Sequence, residues 1–168
     1  MKQGYLVIAQ NSKDKDGNSV NYVRMAYALA LSIKHTQQGV QNVSIAVINK
    51  EDVPTRYHWA FDEIIELPFE DDALMADWKI NNKWKYYHCT PYEQTVILDT
   101  DMLFMSDVSH WWDHLTQWDM LATTRVKTYR GDTVVDNHYR KTFGPNLLPN
   151  VYTGCLLYTS DAADDLRC

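Results

Sequence analysis

The sequence predicts an α/β fold with a mostly parallel sheet. Three observations predict it. Short apolar runs alternate with segments of helical periodicity, the pattern of strands crossed over by helices. One of these runs, Thr95 to Leu98, stops at Asp99-Thr100-Asp101, and parallel sheets bind ligands outside the carboxyl ends of their strands. Only Cys89 precedes Cys155, so the chain up to that point relies on an apolar core instead of a disulfide framework.

Gly4 to Ala9 is a short apolar run that reads as the first strand and ends at Gln10-Asn11. Ser12 to Ser19 is polar and contains a glycine, so it reads as a loop. Val20 to Gln37 is predicted to be helical, with Val23, Ala26, Tyr27, Ala30, Leu31 and Ile33 near helical spacing and Gly39 as the stop. Val43 to Ile48 is a second strand, and Asp62 to Leu67 a third, closed by Pro68. Asp71 to Trp78 and Lys83 to Thr90 read as short helices. Thr95 to Leu98 is the strand that carries the aspartates. Val108 to Trp118 is predicted to be a helix capped by Asp107, and Met120 to Ala122 a further strand.

Composition narrows the function classes. The chain has 168 residues and a net charge of −6, enough for one domain with a sizeable core. It has no basic block, which argues against nucleic acid as a partner. No apolar run approaches the ~20 residues that span a bilayer, so no transmembrane segment is expected. The cysteine usage fits a reducing compartment, and a cytoplasmic location is the expectation. The tryptophans Trp59, Trp78, Trp84, Trp111, Trp112 and Trp118 are expected to be mostly half-buried packing residues.

The aspartate pair carries the chemistry. In extended backbone, residues two apart point to the same side, so Asp99 and Asp101 are expected to project together. Two carboxylates so placed repel each other and lose hydration. A hard divalent cation removes that conflict, and Mn²⁺ or Mg²⁺ holding a phosphorylated ligand is the expectation. A second triplet, Asp14-Lys15-Asp16, lacks a delivering strand and the spacing of a calcium loop, and reads as a solvated turn. Lys79, Lys83 and Lys85 read on their own as a solvated face. Arg125, Lys127 and Arg130 read equally as a loop cluster or as phosphate or acceptor contacts. His110, His114 and His138 read as surface histidines.

The segment Tyr92-x-x-x-Val96-Ile97-Leu98-Asp99-Thr100-Asp101-Met102-Leu103 resembles the metal-binding segment of GT-A fold glycosyltransferases, nearest to family 8, the glycogenin-like and galactosyltransferase-like enzymes. The resemblance runs in order over most of Tyr5 to Gly154. Tyr22-x-x-x-Ala26-x-x-Leu29-x-x-Ser32-Ile33-Lys34 resembles the first helix of that family, with Met25 where the family prefers glycine. Val151-Tyr152-Thr153-Gly154 resembles its acceptor-side motif, with Tyr152 in place of Asn.

The resemblance implies a GT-A, Rossmann-like, nucleotide-diphospho-sugar transferase fold for residues 1–154. It implies transfer of a hexose from a nucleoside-diphosphate sugar, a UDP-sugar favoured, to a hydroxyl of a glycan or other acceptor, with retention of configuration. Ala9, Gln10 and Asn11 would line base and ribose, and Tyr22 would pack on the base. Asp99 and Asp101 would hold the metal, with Thr100 between them, and Lys83 would face the diphosphate and sugar. The family's third metal ligand, a C-terminal His, has no counterpart up to Gly154.

Residues 155–168 form a separate unit of expectation. Cys155 to Asp165 resembles a translated transposon-end sequencing adapter, so this tail reads as non-native and the domain as truncated near Gly154. The tail is expected to pack poorly, with room for Leu156, Leu157 and Tyr158 to pair as a strand, and Asp161 onward is expected to be exposed and irregular. Two other readings stand beside the transferase. One is a nucleotide-sugar-binding fragment without turnover. The other is a haloacid-dehalogenase-like phosphatase, in which the motif opens the domain. A sugar-phosphate nucleotidyltransferase calls for a Gly-rich loop after the first strand, and Lys13 to Ser19 holds only Gly17.

Overall fold

The computed structural model describes residues 1–13, 16–73, 79–123 and 152–159. Strand β1 (Gln3–Ile8) lies between β4 (Val43–Val47) and β6 (Gln94–Leu98), parallel to both. The edge strand β5 (Glu63–Glu66) adds in parallel to β4. On the other side β8 (Tyr152–Thr159) runs antiparallel to β6, and β7 (Met120–Thr123) antiparallel to β8. The six strands are ordered β5-β4-β1-β6-β8-β7. Every residue of β4 and β6 is buried, as a sheet covered on both faces requires.

Helix α1 (Tyr22–Thr36) packs on one face through Val23, Ala26, Leu29, Ala30 and Ile33, all buried. Its start is fixed by Asn21, whose side chain accepts from the Arg24 N–H at 2.8 Å. On that face Tyr5 meets Phe104 and Trp112 edge to face, with centroids 5.5 and 5.3 Å apart. The other face is smaller and joins Leu6, Ala46, Ile97, Leu67, Tyr86 and Cys89. Burial pushes the Cys89 thiol up to about 12.

The sheet is closed at the amino ends of its strands. The Tyr92 ring lies over Gly4 so closely that a Cβ there would sit 2.3 Å from it. The Tyr92 hydroxyl shares a 2.7 Å hydrogen bond with Ser44, and burial raises its pKa. Gly4 is therefore required by contact, not by backbone angle.

Several expectations need correction. The loop after β1 is a small hairpin, β2 (Ser12–Lys13) against β3 (Ser19–Val20), with Gly17 at φ +81° in its turn. The span expected to be helical from Lys83 begins instead as a 3₁₀ segment, Lys79–Lys85, and continues as the single turn α2 (Tyr86–Cys89). The last helix among the described residues is α3 (His110–His114), much shorter than Val108 to Trp118. The residue at the cap position of α3 is Ser109, and Asp107 stands two residues ahead of it, its carboxylate accepting from the Ser109 N–H at 3.4 Å as well as from the Ser109 hydroxyl at 2.7 Å and the Gln38 N–H at 3.1 Å.

The tryptophans also differ. Trp112 is buried and Trp111 half-buried, but Trp59, Trp84 and Trp118 are 65%, 52% and 61% exposed. Trp59 and Trp84 sit on 3₁₀ segments and Trp118 in irregular chain after α3, elements too short to offer a covering layer. His110 and His114 are exposed, as expected. Among the described residues no helix is long and apolar enough to cross a membrane. Leu156 to Tyr158 pair within β8, and Leu157 is buried in the core. Asp14, Lys15, Trp78, Arg125, Lys127, Arg130, His138, Val151 and the residues from Asp161 onward lie outside the described residues, as does most of the helix expected over 71–78.

Candidate nucleotide-sugar site

β1 and β6 end side by side, with Val7 paired to Leu98. The residues just past those ends are Ala9-Gln10-Asn11 and Asp99-Thr100-Asp101. Ala9 is buried, its N–H held by the Ala46 carbonyl at 2.9 Å. The Asn11 carboxamide oxygen accepts from the Val23 N–H at 3.2 Å, which ties the end of β1 to the first turn of α1. Tyr22 is the first residue of that helix and is half-buried against the core. Asn11 and Tyr22 are thus brought together by the helix start.

Asp99 is half-buried, with 22% of its side chain exposed, and its carboxylate pairs with the Lys83 ammonium. The strand ends at Leu98, and the chain turns at Thr100-Asp101. The extended spacing expected of the two aspartates therefore does not hold. Thr100 is buried and Asp101 exposed. Tyr86 sits beneath this end of the sheet against the Ile8 backbone. Its hydroxyl pKa is raised, first by burial and then by the Asp99 charge.

The Gln10 side chain enters a network the sequence did not reveal. Its amide donates to Asp71 at 2.9 Å, and its carbonyl accepts from Asn82 at 2.8 Å. Asn82, fully buried, also donates to Asp71 at 2.6 Å and accepts from the Asp72 N–H at 3.2 Å. Lys85 is fully buried as well, contrary to a solvated face. Its ammonium donates to the Glu70 carbonyl and lies 3.5 Å from the Asp72 carboxylate.

The 3₁₀ period explains this sorting. Residues three apart eclipse, so Asn82 and Lys85 share the inward face. Lys83 then points sideways to Asp99, and Trp84 outward, its indole N–H donating to Asp72 at 2.9 Å.

Among the described residues no group of three or more His, Cys, Asp or Glu side chains converges on one point. Of the two aspartates, Asp99 is engaged by Lys83, and Asp101 stands exposed on the turn that follows. Carboxylate oxygens are the donors a hard cation such as Mg²⁺ takes, commonly one or two of them with phosphates and water completing the shell.

No protein-family model matches the chain, and no curated protein sequence matches it. Solved structures do match. One is 4-diphosphocytidyl-2C-methyl-D-erythritol synthase from Anaerococcus prevotii, at TM-score 0.48 and 10% identity over 96% of this chain and 72% of that one. Another is CMP:2-keto-3-deoxy-manno-octonic acid synthetase complexed with CTP, at TM-score 0.50 and 12% identity over 99% of this chain and 77% of that one. At such identities the likeness concerns the fold alone. The chain shares the α/β fold of that synthetase.

Proposed function

We propose that the chain binds a nucleoside-diphosphate sugar where β1 and β6 end, with Mn²⁺ or Mg²⁺ on Asp99 and Asp101, for transfer of the hexose to an acceptor hydroxyl. The observation that carries this reading is the Lys83–Asp99 pair. Two residues chosen from sequence alone meet at the strand ends where such folds take ligands.

A divalent ion bound there supplies Lewis-acid stabilisation of the departing diphosphate. Lys83 adds a point charge to the same oxygens, held in place before the ligand arrives by its pairing with Asp99. Asn11 fixes the start of α1 and so presents Tyr22 at the base side of the site. Asp101, exposed on its turn, is open to an ion and its water. The anomeric carbon passes from a diphosphate oxygen to the acceptor oxygen, and the acceptor hydroxyl gives up its proton.

Nucleotidyl transfer is the second reading, favoured by the fold shared with a synthetase complexed with CTP. The segment after β1 speaks for the first. It is Ala9-Gln10-Asn11 followed by a hairpin with one glycine, where gripping a triphosphate through backbone amides calls for several. Titration calorimetry with UDP, GDP and CTP, with and without Mn²⁺, tests both. Binding of a diphosphate only with metal, weakened about tenfold or more by Asp101→Asn, is expected. Equal binding without metal would remove the metal-bridged reading, and a preference for CTP would favour nucleotidyl transfer.

A further inference from the structure

We infer that Asn82 and Asp71 are positioning residues that set Lys83 on Asp99, through a polar clasp between the 3₁₀ segment and the Glu70–Asp72 loop. The inference rests on the site just proposed but concerns groups that touch neither ligand nor metal.

The clasp has contacts on both sides of Lys83. On one side Asn82 is tied to Asp71, to Gln10 and to the Asp72 N–H. On the other side Lys85 is tied to the Glu70 carbonyl and Asp72. Asp71 also accepts from the Ala73 N–H at 2.9 Å, so it holds its own loop as well as the turn. Gln10 connects the clasp to the end of β1, which is registered against β6 and hence against Asp99. The path from Asn82 to Asp99 runs through the Gln10 hydrogen bond, along the chain into β1 and across the β1–β6 ladder to Leu98.

The loop carries strain that the clasp must hold. Phe69 has φ +66°, a region aromatic side chains rarely enter. Its ring stacks on Trp84 with centroids 5.5 Å apart. A turn anchored at Asn82, Trp84 and Lys85 leaves Lys83 one direction, toward Asp99. Without Asn82, the Lys83–Asp99 pair is an ordinary, partly exposed ion pair that side-chain entropy can break.

The experiment is amine labelling of the full chain, read residue by residue by mass spectrometry without ligand. Lys34 is the internal standard, since it forms a partly exposed ion pair with Asp62 at 3.6 Å. In Asn82→Ala the labelling rate of Lys83 should rise about threefold, approaching that in Asp99→Asn, as fits loss of an ion pair of surface strength. Asp71→Ala, which cuts the clasp from the loop side, should give the same rise. Lys34 should not change. An unchanged Lys83 rate in both variants, or an equal rise at Lys34, would overturn the inference, the latter by showing that the clasp holds the whole fold. Failure of the unmodified chain to bind a metal–nucleotide, with the Lys83 response intact, would remove the proposed function and leave the positioning role standing.

Discussion

The two ends of the parallel strands are built in opposite ways. At the amino end Tyr92 is 4% exposed and closes over Gly4, Gln3 bonds Gln94 at 2.6 Å, and the Glu93 N–H bonds the Lys2 carbonyl at 2.9 Å. At the carboxyl end the last strand residues give way to Gln10, Asn11, Lys83, Asp99 and Asp101, all partly or largely exposed. One end spends its contacts on the fold, and the other keeps charges within reach of solvent. The difference separates where a substitution should cost stability from where it should cost binding.

Gly4→Ala should have the largest effect. The new Cβ meets a ring that Ser44 holds by a 2.7 Å bond, so the ring cannot swing away freely. Overpacking of this kind costs about 2–3 kcal/mol, read as a lower urea midpoint at unchanged slope. A variant as stable as the parent would show that the amino end is loose.

Asp99→Asn should do the reverse. Lys83 and Asp99 are 27% and 22% exposed, and such a pair contributes less than about 1 kcal/mol to stability. Its cost should appear as lost metal–nucleotide binding. A stability loss as large as that of Gly4→Ala would erase the distinction between the two ends.

The smallest effect lies outside both ends, at Asp107. Hydrogen bonds from the Ser109 hydroxyl and then the Gln38 N–H hold its carboxyl below the ordinary 3.8. A folded pKa below the unfolded one means that its contribution is present above the unfolded value and is lost as pH falls through the folded one. The melting difference between the parent and Asp107→Asn should therefore narrow below pH 3.8 and be constant above it. A difference that widened on acidification would reverse the assignment.

Much of the fold was legible because apolar periodicity reports burial. Val23, Ala26, Ala30 and Ile33 fall on the buried face of α1 as their spacing says, and β1, β4, β5 and β6 lie within a residue or so of the apolar runs. Lys83 and Asp99 were legible through spacing from a known motif, and the fold joins them. The clasp was not. Gln10 and Asn82 are 72 residues apart, and Asn and Asp in a polar stretch read first as turn formers. Lys85 looked solvated because lysines are almost never fully buried unless paired, and its partners Glu70 and Asp72 lie in another segment. The tryptophans misled for a related reason, since hydrophobicity says nothing about whether a short element has a neighbour to cover it.

The antiparallel strand β8 joins β7 to the sheet, since β7 pairs with β8 and the open edge of β6 is what β8 fills. That slot asks little of its occupant. Backbone amides and carbonyls supply the ladder to Gln94–Leu98 whatever the side chains, and Leu157 supplies the buried apolar group. Extended segments with a suitably placed apolar residue meet both demands. The slot is accordingly permissive as to sequence, and Cys155 to Thr159 lie in it as a strand. Until such a strand is made, a chain emerging from the ribosome carries an unpaired edge at β6, whose Val96, Ile97 and Leu98 are open to any neighbouring chain that is extended and apolar.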